Sequence, residues 1–232
     1  MFELTFITYQ RRCPSATRET RGAIHHDTRG SRTRLTRQQM TFSAVYAELR
    51  ASDPGLCRDL FRRGRRLRLR RGELAYRQDD PANYSYLVII GGVLLIRSGL
   101  DTDIGVDFIY PGRMCGIHEC IALRRHATDA RATTDTVLLR FAYDDFRSAM
   151  QRSPLFGELL LRELAADLTE AHGRLEWLTG ASLKQRIDKL SEDFQRRRRK
   201  PAHRLSSLSQ GDLAALLGVS RQRVNAAINA RS

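Results

Sequence analysis

Between Arg65 and Phe146 apolar positions alternate with polar ones in short bursts. Leu67 and Leu69 are set among arginines. Tyr84, Tyr86, Val88 and Ile90 fall on one side of an extended segment, with Leu87 and Ile89 on the other. Val93–Ile96 forms the next burst, Ile104, Val106 and Phe108 alternate again, and Thr136–Phe141 closes the set. A period of two predicts strands. Gly91-Gly92 is expected to be a hairpin turn, since both residues tolerate positive φ, and Pro111-Gly112 marks another turn. Strands separated by turns every 8–12 residues or so indicate an antiparallel sandwich or barrel. Upstream, Thr41–Phe61 reads as one or two short helices broken at Asp53-Pro54-Gly55.

After Phe146 the period lengthens. Ser153 caps a helix that Pro154 begins. Leu161, Leu164, Leu168, Ala171, Leu175 and Leu178 step alternately by three and four, a heptad seam that predicts pairing with a second helix. Leu159, Leu160 and Trp177 widen the apolar surface, so this helix must bury two sides, one on its own domain and one elsewhere; homodimerisation along the seam is the preferred reading over packing within the chain. Ser182–Phe194 is a second amphipathic helix (Leu183, Ile187, Leu190, Phe194), followed by the charged run Arg196–Lys200 and Pro201.

The last segment reads as two helices and a tight turn. Ser209 caps the first, with Asp212 at the capping-box position. Leu213, Ala214, Leu216 and Leu217 form its buried face, and Gly218 is the expected left-handed C-cap. Val219 fills the corner, Ser220 caps the second helix, and Val224 and Ile228 anchor it inward. Any helical hairpin with a glycine turn shares part of this pattern. The caps, anchors and polar leading edge together point to a DNA-binding helix-turn-helix. Its second helix would present Arg221, Gln222 and Asn225 to base edges; arginine matches guanine, and glutamine or asparagine matches adenine. Arg223 and the 196–200 run would neutralise phosphates, and Ser209 and Ser220 complete the candidate DNA-binding set.

Charge sharpens this picture. The 232 residues carry 40 Lys+Arg against 26 Asp+Glu, a net charge of +14. Only three of the forty are lysine, so part of the bias reflects base composition of the coding sequence. The excess sits at the ends: +5 over residues 1–40, +1 over 41–181 and +8 over 182–232. A basic end beside a balanced middle fits a nucleic-acid footprint. Residues 1–40 lack any sustained period and read as a disordered basic tail; they also suit a transit peptide, or translation begins at Met40. No apolar run approaches the ~20 residues of a spanning helix. Four cysteines without a dense pattern suit a reducing cytoplasm.

The order β-roll, leucine-rich helix, amphipathic helix, helix-turn-helix over residues 56–230 resembles the Crp/Fnr family of bacterial transcription regulators. The resemblance is carried by Tyr86–Ile96, Tyr110–Gly116 and, most specifically, Leu-Gly-Val-Ser-Arg-Gln-Arg-Val-Asn at 217–225. It implies an α+β protein with an N-terminal antiparallel, jelly-roll-like β-roll, a long dimerisation helix and a C-terminal helix-turn-helix. The corresponding boundaries are 1–40 (tail), 41–152 (sensor), 153–181 (dimerisation helix) and 182–232 (reading head). The family implies a homodimer that binds duplex DNA and adjusts transcription when the β-roll senses a signal, with RNA polymerase as a candidate contact.

In cyclic-nucleotide-binding members a short helix after a glycine cradles the cyclic phosphate, helped by an Arg-Ser pair and a Glu. Here Gly116 matches, Glu119 falls two residues late, and the Arg-Ser pair becomes His126-Ala127 with Arg124 and Arg125 just before it. Cyclic nucleotide is therefore not the favoured effector, and no cofactor is expected. Cys115, His118 and Cys120 match no standard zinc spacing, so no metal is expected. The wing that follows the recognition helix in the family is missing after Ile228. That leaves an alternative: a truncated sensor that pairs with intact relatives without regulating DNA. No P-loop, nucleophile elbow or HExxH is present, and an enzyme is not expected.

Overall fold

A computed structural model describes residues 44–99, 103–196 and 208–229. The expected tail at 1–40 and residues 197–200 of the basic run lie outside them. Two short helices, α1 (Ala44–Ser52) and α2 (Pro54–Arg63), lead in. Asp53 separates them: its carboxylate accepts the Leu56 N–H at 2.8 Å, and Pro54 starts α2 where no N–H is needed.

Eight strands and a short helix follow: β1 (Arg65–Leu69), β2 (Leu74–Tyr76), β3 (Tyr84–Ile90), β4 (Val93–Arg97), β5 (Ile104–Ile109), β6 (Met114–Cys115), α3 (Ile117–Ile121), β7 (Asp129–Ala132) and β8 (Thr136–Ala142). They make two four-stranded antiparallel sheets, ordered β1-β8-β3-β6 and β2-β7-β4-β5. The short strands β2, β6 and β7 have too few residues to show a period.

Gly91-Gly92 does not close a hairpin. β3 and β4 belong to different sheets, and the glycines carry the chain across between them. Gly91 has φ +85°, and a side chain there would run into Thr136 Oγ1 and the Asp135 carbonyl; one at Gly92 would meet the Phe108 ring. The glycines are therefore required by a close crossing rather than by a two-residue turn.

Alternation along the strands feeds three cores. Tyr86 and Val88 of β3 and Val93 of β4 point between the sheets, with Leu69, Ile109, Cys115 and Leu138. Leu87 and Ile89 point out, with Leu139 and Phe141, against α1, α2, α4 (Tyr143–Arg152) and the start of α5 (Pro154–Gly180). Leu94, Ile96 and Phe108 line the outer face of the second sheet. They pack against Leu190 and Phe194 of α6 (Leu183–Arg196), Leu216 and Leu217 of α7 (Gln210–Leu217) and Val224 of α8 (Arg221–Asn229). The two terminal helices are thus welded to the β-roll by a shared apolar core.

The heptad seam divides. Leu161, Leu168 and Leu175, seven apart, are 69%, 58% and 62% exposed, and Ala171 is exposed beside them. Leu164 instead packs against the core of the β-roll and its flanking helices, and Leu178 is half-buried, close to Gly218. The apolar stripe left facing solvent repeats every seven residues, narrower than the alternating three-and-four pattern.

Candidate functional site

The candidate DNA-binding pair, α7 and α8, is built from two capped helices. Ser209 Oγ accepts the Asp212 N–H at 3.1 Å, and Asp212 Oδ2 accepts the Ser209 N–H at 2.9 Å. Gly218 has φ +64°, the left-handed cap that turns the chain, and its N–H reaches the Ala215 carbonyl at 3.3 Å. Ser220 Oγ then accepts the Arg223 N–H at 3.4 Å, opening α8. Val224 is fully buried, which fixes the rotation of α8.

That rotation exposes Arg221, Gln222 and Arg223 at the leading turn. Asn225 differs: it is half-buried, and its Oδ1 is enclosed without a hydrogen-bond partner. Ile228 is more exposed than an inward anchor requires, at 37%. The Arg221 guanidinium lies across α7 at Gly211, where a Cβ would stand 2.6 Å from Nη2. Gly211 is thus the gap through which this arginine passes.

Three further arginines hold α7 in place. Arg131 of β7 donates to Asp212 Oδ1 at 2.7 Å, so the carboxylate that closes the α7 cap also grips the β-roll. Asp212 is 6% exposed, and the pair is well shielded on its side. At the other end of α7, Arg174 of α5 donates to the Leu216 and Gly105 carbonyls, both at 3.1 Å, and Arg186 of α6 donates to the Leu217 carbonyl at 3.1 Å. Cations at a helix C-terminus also suit its dipole. Gly105 lies flat against α7; a Cβ there would sit 2.8 Å from Leu216 N. The apolar pattern along the chain does not mark these residues. One signal was available: a lone glycine inside a strand marks a close backbone approach.

Of the candidate effector residues, the structure gathers three. Gly116 (φ +70°) starts α3, and the His126 ring lies against it, 2.8 Å from where a Cβ would be. His126 is 2% exposed and stacks on Tyr76, with ring centroids 3.6 Å apart and planes 12° from parallel. Glu119 Oε1 accepts the Ala127 N–H at 3.3 Å, tying down the same loop. Arg124 and Arg125 are exposed, and Arg125 is drawn to the Asp79 carbonyl at 2.6 Å. The cradle is filled by an imidazole stack and offers no guanidinium to an anion, since Arg131 is engaged by Asp212. These residues do not fit a cyclic phosphate.

Cys115, at the end of β6, and Cys120, in α3, are both buried, and burial pushes their thiols up to about 12 and about 11. Both stay protonated at neutral pH, unlike metal-bound thiolates. Among the described residues no three His, Cys, Asp or Glu side chains are grouped to hold a metal ion.

His118 faces the other way. Its Nε2 lies 3.4 Å from Asp167 Oδ2 of α5, and Arg113 gathers Glu163, Asp167 and Glu170 of the same helix. Together they pin α5 to the strand and helix around Gly116. The hydrogen bond to Asp167 holds the His118 pKa above the usual 6.5, against some desolvation. Desolvation holds His126 below that value, against the pull of Glu119 and Asp80.

The two histidines therefore oppose each other. Stabilisation from His118 is complete below about pH 6.5 and is lost as pH rises through its elevated folded value. For His126 the unfolded chain takes up a proton that the folded chain refuses, so stability falls as pH drops below about 6.5. Thermal melts from pH 5 to 8 should show this as two separable limbs. His118→Gln leaves the acid loss of His126 standing alone; His126→Phe, which keeps the stack, leaves only the alkaline loss. Parallel curves for both variants and the parent would contradict the assignment.

Residues 66–153 match the family described as cyclic nucleotide-binding domain. No curated protein matches this sequence. Among solved structures, FixK2 from Bradyrhizobium japonicum is similar at 22% identity and TM-score 0.65, covering 72% of this chain and 83% of that one. The c-di-GMP responsive global regulator CLP of Xanthomonas campestris follows at 20% identity and TM-score 0.62, covering 76% and 90%. The catabolite activator protein of Thermus thermophilus shares 26% identity at TM-score 0.50, covering 78% and 84%. Residues 66–153 thus match the cyclic nucleotide-binding domain family, and the fold around them is shared with FixK2, CLP and the Thermus thermophilus catabolite activator protein.

Proposed function

We infer that this protein is a dimeric, sequence-specific DNA-binding transcription regulator of the Crp/Fnr type, whose β-roll responds to a signal. One observation carries the reading: two capped helices cross at Gly218 so that Val224 is buried while Arg221, Gln222 and Arg223 stand exposed at the leading turn of α8. That is the arrangement by which a helix enters the major groove with its first turn on base edges. The solvent-facing leucines of α5 supply a second support, because two copies joined there would present two heads. The described residues hold no helix long and apolar enough to cross a membrane, and a regulator of this kind works beside the DNA in the cytoplasm, with RNA polymerase as its further contact.

The signal is proposed to act on the stack at Gly116. An effector would have to displace His126 from Tyr76. The loop it would move leads directly into β7, where Arg131 holds Asp212. The same displacement would reach α5 through His118 and Arg113. Reorientation of the heads is then a shift between two arrangements of one dimer.

Selection from a pool of random duplexes tests the reading. The enriched sequence should be two-fold symmetric, with half-site centres about 34 Å apart. On that sequence Arg221→Ala should cost about 1–3 kcal/mol and relax one base position. Equal binding to every duplex, with or without Arg221, would defeat it.

A further inference from the structure

The near-neutral total for residues 41–181 hides a local excess. Residues 58–77 hold nine arginines and two acidic residues, +7 within twenty positions and half the net charge of the whole chain. The structure lays the centre of this run along β1, the outermost strand of its sheet, and into the turn that follows. Arg65, Arg68, Arg70 and Arg71 are all exposed there. Among the described residues none of their guanidinium groups has an ion pair or a side-chain hydrogen bond. Nearby carboxylates are occupied elsewhere: Glu73 and Asp135 accept the backbone N–H groups of Arg70 and Arg71, and Asp145 pairs with Arg63. Arg65 even lies directly opposite Arg140 in the ladder, a like-charge pairing that costs stability. At the α2 end an open cleft of about 560 Å³ is lined by Arg58, Arg62 and Arg152 together with Asp53 and Asp59, and Asp59 pairs with both Arg62 and Arg152.

We propose that the Arg65–Arg71 edge is a second DNA-contact surface, which docks on the phosphate backbone without reading sequence. It rests on the DNA-binding reading above and extends it from α8 to the β-roll. The five residues of β1, at about 3.3 Å each, span about 16 Å, and duplex DNA offers about nine backbone charges, both strands counted, over that length. The choice of partner follows from what lies between the arginines. Leu69 is buried and Leu67 is half-buried, so the edge has no exposed apolar core of the sort that protein interfaces are built on. Single strands are held by aromatic stacking platforms, and this stretch of the edge carries no aromatic residue. Arg65 and Arg68 leave opposite faces of β1 and Arg70 and Arg71 lie in the segment just beyond it, so unpaired guanidinium groups surround this end of the edge and can neutralise phosphates that pass it.

The test uses the full chain and a random-sequence duplex of about forty base pairs, so it needs no knowledge of the operator. Binding is measured across a salt series for the parent, for Arg65→Gln/Arg68→Gln/Arg70→Gln/Arg71→Gln, and for Arg221→Ala. Each phosphate that is no longer neutralised lowers the salt slope of log K by about 0.9, so the four-glutamine variant should lose up to about 3.6 units of slope and bind more weakly. Circular dichroism checks that its fold is kept. A parental slope in that variant overturns the proposal, and if Arg221→Ala still weakens binding the reading head stands without the edge. A reduced slope in the four-glutamine variant with no effect of Arg221→Ala on selected or random duplex keeps the edge and removes the reading head. Unchanged DNA binding with lost binding to polyglutamate would assign the edge to an acidic protein and also overturn it. Unchanged DNA binding with new self-association would reduce the arginines to guards of an open strand edge.

Discussion

Replacing Gly105 by valine should lever α7 and α8 off the β-roll. The added side chain would enter space held by Leu216 N, the Ala215 carbonyl carbon and Leu216 Cα, at 2.8–3.0 Å even for its first carbon. All three are backbone atoms of α7, so no rotamer change relieves the clash. Either β5 or α7 must withdraw. Withdrawal uncovers Leu94, Ile96 and Phe108, which are nearly fully buried beneath α6, α7 and α8. At roughly 1.5–3 kcal/mol for each large apolar side chain, losing that cover costs several kcal/mol. The Arg174 bridge between the Gly105 and Leu216 carbonyls goes with it. The only tryptophan of the chain, Trp177, packs against this same core with Arg174 near its ring. Its emission should therefore shift to the red in Gly105→Val, and protease should cut within α7 faster than in the parent. Unchanged emission and cleavage would mean that the head is held some other way.

This docking was not legible in the pattern of apolar residues, for a physical reason. Periodicity reports that Leu94 and Ile96 share a face and that Leu216 and Leu217 are buried; it does not say that they bury each other. What was legible is local. The Asp53-Pro54 break, the Ser153-Pro154 start, the Ser209–Asp212 box and the Gly218 cap depend on neighbours within a few residues, and each is found in the structure. Gly91-Gly92 shows the opposite case. The need for glycine was readable, but its cause, a crossing between sheets against Thr136 and Phe108, is a long-range contact. The candidate sites divide in the same way. Arg221, Gln222 and Arg223 follow from the phase of one helix. His126 against Gly116 and Tyr76, and Arg131 on Asp212, need the tertiary fold to bring distant segments together.

A dimer joined along α5 makes the other large prediction. Leu161, Leu168 and Leu175 are too exposed to serve their own subunit, while Leu159, Leu160 and Leu164 already face its core. An exposed leucine every seven residues along a 27-residue helix supplies one of the two apolar positions per heptad that the proposed parallel pair would use. In a two-fold pair each leucine buries against its counterpart, so three positions give six buried side chains at roughly 1.5–3 kcal/mol each. That gross gain of roughly 9–18 kcal/mol is of the order needed to offset the ~4–15 kcal/mol cost of association. A change at the centre is therefore felt strongly. Leu168→Glu removes two of the six and sets two carboxylates against each other. A loss of about 4 kcal/mol corresponds to a thousandfold rise in the dimer dissociation constant. Because Leu168 is exposed within the subunit, the fold itself should melt as before. Sedimentation at micromolar concentration should then find monomers where the parent is dimeric. DNA selected by the parent should be bound by Leu168→Glu only as weakly as one head allows. If the variant sediments with the parent, the stripe is not the dimer seam, and the spacing of two half-sites loses its structural cause.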